Sequence, residues 1–195
     1  MSWVARALIC LILGTPLAAQ AQAPAWTVLE ESTVGFTAYQ SGAPVDGLFQ
    51  TFKAEVLFAE ENLEQSRIAV TVDIASVDSQ SNDRDQTIRS ANLFNVAEWP
   101  NGRFVSERIT KTGAGMFEAH GKLTLRDVTR EVTLPFQLTV DQDPIDVQRW
   151  RANAWGDLKI MRLDYGIGQG LWQDTSVVGN EVLIRINITA WRPKE

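Results

Sequence analysis

The chain is short of the residues that build reactive centres. Its 195 residues include one cysteine, Cys10, and one histidine, His120. A lone thiol leaves no internal disulfide and no Cys-ligated metal site. No Ser–His–acid or Cys–His set can be assembled around the single histidine. Long apolar runs are missing too. The longest near the N-terminus, Ala7 to Leu13, falls far below the about 20 residues needed to span a bilayer. Positive charge is in deficit, with a formal net charge of −6. That argues against nucleic acid, whose binding rests on phosphate neutralisation. It also argues against docking on anionic lipid through a basic patch. There is no internal repeat, no low-complexity linker and no charge block. No glycine-rich phosphate cradle follows a strand.

The first residues read as a secretory signal. Arg6 supplies the n-region charge, Ala7–Leu13 the apolar core, and Gly14 and Pro16 end it. Ala19-Gln20-Ala21 is an A-x-A site. A second such site, Ala21-Gln22-Ala23, is disfavoured by Pro24. Cleavage is expected after Ala21, giving a signal peptide over 1–21 and one domain over 22–195. Cys10 leaves with the signal, and Ile9 before it is not the small residue that precedes a lipidated cysteine. Cleavage removes Arg6 and no acid, so the formal charge moves from −6 to −7. The mature chain is expected to be soluble, with no stable membrane anchor.

What remains alternates with period two, the mark of strands with one buried face. Val34, Phe36 and Ala38 oppose Thr33, Gly35, Thr37 and Tyr39. Phe52, Ala54, Val56 and Phe58 share one face, as do Ile68, Val70, Val72 and Ile74. Phe117, Ala119, Gly121, Leu123 and Leu125 do the same. Val132, Leu134, Phe136, Leu138 and Val140 form the clearest face. Pro135 lies on the polar parity there, which predicts an edge or a bulge. The last strand sets Val182, Ile184, Ile186, Ile188 and Ala190 against Glu181, Arg185, Asn187 and Thr189. One stretch departs: Asn82 can cap a short helix with Asp83 and Asp85 in its first turn, Ile88 facing inward, and an end near Arg89 or Ser90.

About eight strands at turn-punctuated spacing suggest a barrel or a sandwich. Small residues on the inward face (Ala54, Ala119, Gly121, Ala152, Ala154) leave room beside Phe36, Phe52 and Phe104. In a barrel of about eight strands that room can hold one elongated ligand. The same residues could instead meet large neighbours in a solid core. Parity alone leaves both open.

Several segments, in order, resemble the YceI-like, polyisoprenoid-binding family. They are Trp26-Thr27-Val28 with Ser32 to Phe36; Val45-Asp46-Gly47-Leu48-Phe49; Asp73 to Ser79 before Arg84-Asp85; and Leu93-Phe94-Asn95-Val96 with Trp99-Pro100 and Phe104-Val105-Ser106. Gly121 to Thr129 with Leu134-Pro135-Phe136 follows, then Arg162 to Gly168 before Trp172. Asp127 and Asn95 depart mildly from the pattern. The resemblance spans about 26–191 and implies an all-β fold, a lipocalin-like extended antiparallel eight-stranded β-barrel with one short helix. It implies a periplasmic carrier that holds a polyisoprenoid, an isoprenoid quinone or a fatty-acid-like amphiphile, with no catalysis and no cofactor beyond such a lipid. Relatives occur fused to or near membrane cytochromes of the b561 type, so such a protein is a candidate partner; a second copy of the chain is another.

The lumen candidates are Phe36, Phe52, Ala54, Val56, Ile68, Val70, Val72, Phe104, Leu123, Leu125, Ile184 and Ile186, with Trp155 and Trp172 at the mouth. Ordinary core is the competing reading of each. Gly166, Gly168 and Gly170 could gate the lumen, but a turn needing positive φ is preferred. His120 falls on the outward parity. Asp141, Asp143 and Asp146 resemble the start of a calcium loop but lack its glycine and terminal glutamate, so an acidic hairpin turn is expected. Asp83, Arg84, Asp85 and Arg89 read as surface ion pairs beside the helix rather than head-group ligands. Arg126-Asp127 with Arg130, and Arg162 with Asp164, read as pairs at the barrel rim. Two other function classes remain: an enzyme acting on an amphiphile in the same barrel, and a filled stress-response or structural module.

Overall fold

The alternating segments form one continuous antiparallel sheet. A computed structural model describes residues 22–194; the expected signal peptide over 1–21 lies outside the described residues. The strands are β1 (Ala25–Val28), β2 (Thr33–Gln40), β3 (Ala43–Phe49), β4 (Phe52–Leu57), β5 (Arg67–Asp73), β6 (Val77–Asp78), β7 (Asn101–Gly113), β8 (Met116–Leu125), β9 (Val128–Gln142), β10 (Arg149–Met161) and β11 (Glu181–Pro193). The first six are halves of three longer strands. β1 and β2 lie end to end along β11, with Val28 opposite Ala190 and Thr33 opposite Asn187. β3 and β4 lie end to end against them, with Val34 opposite Phe49 and Trp26 opposite Val56. β5 and β6 follow, with Phe52 opposite Val72 and Phe49 opposite Val77. The later strands pair in chain order, and β11 meets both β10 and β1–β2. The result is a closed up-and-down barrel of eight long strands. Closure removes the exposed edges that an open sheet would present.

Turn chemistry sets the register locally. Ser41 and Gly42 both have positive φ (49° and 80°), the twist a two-residue hairpin loop needs. Pro135 stands one residue past the end of the β9–β10 ladder, which stops at the Phe136–Gly156 pair. Proline lacks the N–H that a continuing ladder would use, so the edge predicted from its parity is where the two strands part. Residues 157–161 of β10 continue with β11 alone. A 3-10 turn, Arg162–Tyr165, packs against β9 and β10 there, and Tyr165 is 2% exposed.

The helix α1 (Asn82–Arg89) is the expected one, shifted by a residue at its start. Ser81, not Asn82, is the N-cap, and its side chain makes no capping bond. Asp85 is buried because its carboxylate turns back to accept from the Ser79 N–H (2.9 Å) and Ser79 Oγ (2.6 Å). The hydrogen bonds thus tie α1 to the strand end before it.

One end of the barrel carries the start of β1 and the end of β11. There Phe58, Phe117 and Phe136 meet ring to ring. Phe58 is edge-on to Phe117 at 5.3 Å, and Phe117 stacks on Phe136 at 5.4 Å. Trp26 joins them and donates its Nε1–H to the Phe58 carbonyl at 2.9 Å. The opposite end carries the β2–β3 turn, α1 with the loop to β7, the β8–β9 turn and the segment between β10 and β11.

Candidate functional site

The inward faces of the strands enclose a cavity of about 520 Å³. The interior is therefore hollow, and the solid-core reading does not hold for its central part. Thirteen of the fourteen expected lumen residues stand on its wall: Phe36, Ala54, Val56, Ile68, Val70, Val72, Phe104, Leu123, Leu125, Trp155, Trp172, Ile184 and Ile186. Phe52 does not. The inward parity is odd in β3 (Val45, Phe49) and even in β4 (Ala54, Val56). Phe52 opens β4 at that switch and stays half-buried outside the wall. Trp155 has outward parity and is 43% exposed. It nonetheless stands among the residues that line the cavity, next to Gly156, where the β9–β10 ladder ends.

The small residues divide. Ala54, Ala152 and Ala154 face the cavity. Ala119 is fully buried among the aromatic rings at the closed end. Gly121 serves a different purpose: a Cβ there would lie 2.2 Å from the Val105 carbonyl oxygen, at the register shift in the β7–β8 ladder. It permits the close approach of two strands rather than making lumen space.

Several wall residues were within reach of parity yet absent from the expected set, among them Val34, Leu134, Leu138 and Ile188. Others, such as Leu93, Phe94 and Ile167, come from loops with no strand period to reveal them. Ile88 of α1 faces the cavity as expected.

The polar side chains of the wall cluster by position in the fold. Gln40, Ser81, Asp83, Arg84, Thr87 and Arg162 all belong to the α1 end. Arg162 is 3% exposed and forms no rim pair with Asp164. Its Nε donates to the Gly179 carbonyl (2.9 Å), Nη1 to Ile167 (2.9 Å) and Nη2 to Val178 (2.7 Å). Burial lowers its pKa, yet a guanidinium stays charged in proteins. Three carbonyl dipoles thus solvate a cation that has no carboxylate within ion-pair distance among the described residues. Gly168 makes room for it, because a Cβ there would come within 2.0 Å of Arg162 Nη1. Gly166, Gly168 and Gly170 all have positive φ (66°, 121° and 59°), which is the turn reading of that segment.

The other expected ion pairs also resolve into backbone contacts. Arg84 donates to Ser79 Oγ (2.8 Å) and to the Ser79 carbonyl (2.7 Å). Arg89 donates to the carbonyls of Ala75 and Val77, both at 2.8 Å. Arg126 donates to the Leu93 and Gly166 carbonyls and lies over the Trp99 ring. Arg130 donates to the Asp164 carbonyl. None of these arginines makes an ion pair among the described residues, because the loops they anchor present unpaired carbonyls close by and a carboxylate is not needed.

His120 sits on the outer wall between Thr110 Oγ1 and Thr133 Oγ1, each at 3.0 Å. Asp143 accepts the N–H groups of Ile145 (2.8 Å) and Asp146 (3.0 Å), which lower its pKa and close the β9–β10 hairpin. No group of His, Cys, Asp or Glu among the described residues is arranged to hold a metal ion.

The sequence profile of the YceI-like domain matches residues 26–190. The chain belongs to the YceI-like family. A UPF0312 protein of Azotobacter vinelandii is 31% identical over 173 residues, covering 85% of this chain and 89% of that protein. A UPF0312 protein of Vibrio parahaemolyticus is 30% identical over 63% of this chain, which spans less than two thirds (65%) of that relative. Among solved structures, BcnA of Burkholderia cenocepacia superposes with a TM-score of 0.73 at 30% identity, over 82% of this chain and 96% of BcnA. A polyisoprenoid-binding domain from Saccharophagus degradans shares the fold, with a TM-score of 0.61 at 14% identity over 87% of this chain and 98% of that domain. The YceI-like barrel is the fold in which the cavity must be interpreted.

Proposed function

We propose that this protein binds one long-tailed apolar lipid in the barrel lumen and carries it through the periplasm without altering it. The ligand class is a polyisoprenoid, an isoprenoid quinone or a fatty-acid-like amphiphile. The observation that carries this reading is the hollow, hydrocarbon-walled interior of about 520 Å³. That volume lies within the roughly 300–1,000 Å³ of small-molecule sites. The polyisoprenoid-binding domain that shares the fold supports the same class.

Hydrocarbon walls offer a tail transfer free energy of about 0.8 kcal/mol per methylene-sized group, relative to water. The competing state is a membrane, where the tail is already out of water. A lumen that matches the membrane therefore allows loading and release. Catalysis would need a reactive polar group near the bound molecule, and Arg84, Thr87 and Arg162 at the α1 end are engaged with Ser79 and with backbone carbonyls. The expected signal peptide supports export. A b561-type cytochrome is the proposed source or acceptor of the lipid.

The test is organic extraction of gently purified protein followed by mass spectrometry. About one apolar lipid per protein is expected. Protein that is consistently empty, and stays empty after incubation with isoprenoid lipids, would overturn the reading.

A further inference from the structure

We propose that the loop over residues 169–178 is a membrane-contact lip at the rim of the lumen, with Leu171 as the side chain that enters a neutral bilayer. The role of this surface rests on the lumen-binding reading, but the surface itself can be tested separately. Tyr39, Gln40 and Asp83 line the cavity and are themselves exposed, which places its rim at the α1 end. Trp172 lines the cavity too. Leu171 precedes it in the 3-10 turn Gly170–Gln173 and is 94% exposed, the highest value for a large apolar side chain among the described residues.

The loop is tied down on both sides of that apex. The Gln169 N–H donates to the Asn92 carbonyl (2.7 Å). On the other side Arg162 donates to the Val178 carbonyl (2.7 Å), the Ser41 N–H to the Val177 carbonyl (2.8 Å) and the Gly179 N–H to the Tyr39 carbonyl (2.8 Å). These bonds bring Val177, 48% exposed, beside the β2–β3 turn and the exposed Tyr39. The exposure of Leu171 is thus held in place by the fold.

A single exposed leucine is ordinary in a folded protein; its surroundings set this one apart. Residues 166–180 carry one charged side chain, Asp174, and none lies within two positions of Leu171. The comparable tip at the other end of the barrel is Ile145, 89% exposed, with Asp143 and Asp146 within two positions. Bringing that tip to a bilayer would desolvate carboxylates, which is costly.

The occupant follows from shape and charge. A stable protein interface buries about 800 Å² per partner, and one side chain projecting from a turn offers no such face. A fluid bilayer accepts a single apolar side chain without a complementary surface. The formal charge of −6 and a loop whose only charge is a carboxylate favour neutral over anionic lipid. The contact is weak, because a leucine is far smaller than a myristoyl chain, itself a marginal anchor. Weak contact suits a protein that docks, exchanges lipid and leaves.

The experiment uses the mature chain, residues 22–195, which has no cysteine of its own. Gln173→Cys beside the lip, or Gln148→Cys at the far end, is labelled with an environment-sensitive nitrobenzoxadiazole dye and titrated with phosphatidylcholine vesicles up to about 10 mM lipid. The label at 173 should shift to the blue and the label at 148 should not. Leu171→Glu should raise the lipid needed for half the shift at least about tenfold. Ile145→Glu should leave it unchanged, and adding phosphatidylglycerol should weaken binding. No shift at 173, an equal shift at 148, or indifference to Leu171→Glu would overturn the lip. Lipid extracted from the same samples keeps the two readings apart. Lipid-loaded protein without a Leu171-dependent shift overturns the lip and leaves lumen binding intact. A Leu171-dependent shift in protein that always remains empty overturns lumen binding and the exchange role, while the membrane contact stands.

Discussion

At the end of the barrel that holds both strand termini, Phe58, Phe117 and Phe136 close the lumen ring against ring. At the other end, five arginines (Arg84, Arg89, Arg126, Arg130 and Arg162) donate to backbone carbonyls of loops. The first closure is dispersion and desolvation, which have no direction and depend on tight filling. The second is a set of charge-assisted hydrogen bonds, which are directional and separately breakable. The loop end can therefore open while the aromatic end keeps the barrel folded. The proposed binding of an apolar lipid would use that asymmetry, with one fixed end and one adjustable end.

The largest expected effect comes from damaging the fixed end. Phe117→Ala should lower unfolding free energy by about 3–5 kcal/mol, since it removes a fully enclosed ring and leaves a cavity. Urea denaturation followed by tryptophan fluorescence measures this. A loss below 1 kcal/mol would mean that the rings are loosely packed and that the contrast between the ends is false.

A smaller and more local effect is expected at the loop end. Arg162→Leu leaves three carbonyls without their donor and should cost about 2–3 kcal/mol. Hydrogen–deuterium exchange should accelerate over residues 166–180 and change little in β7 and β8. Acceleration spread evenly over the barrel would show that the two ends are one cooperative unit. Gly168→Ala should reproduce the local pattern, because its methyl would occupy the space of the Arg162 guanidinium.

The smallest effect is a pH dependence at the seam between β9 and β10. Burial raises the Tyr165 phenol above its usual 10.0, partly countered by Arg130. A folded-state pKa above the unfolded one means that this contribution is fully present below about pH 10 and is lost as pH rises through the raised value. The thermal midpoint should therefore fall at alkaline pH, and Tyr165→Phe should make that fall shallower. An unchanged slope in the variant would remove Tyr165 as the cause.

Much of the lumen wall was legible from side-chain rhythm. Val70, Phe104, Leu123 and Ile184 face inward because successive side chains in a strand alternate faces. The same rhythm included Phe52, which shares the face of Ala54 and Val56 but begins β4 at the break with β3 and stands outside the cavity wall. Arg162 and Asp164 were expected to pair because they are near in sequence and opposite in charge. Arg162 instead serves carbonyls of residues 178 and 179, partners supplied only when β11 folds alongside β10.

The sequence by itself determined the strands, their buried faces, the short helix and the turn at Gly166 to Gly170. Each depends on the conformational preference of a few neighbouring residues. Only the tertiary structure decided that the enclosed space is hollow, that rings close one end and that arginine–carbonyl bonds close the other. Whether a void remains depends on how side-chain volumes from all eight strands add up around it, and a buried cation's partners depend on which distant carbonyls the fold leaves unpaired.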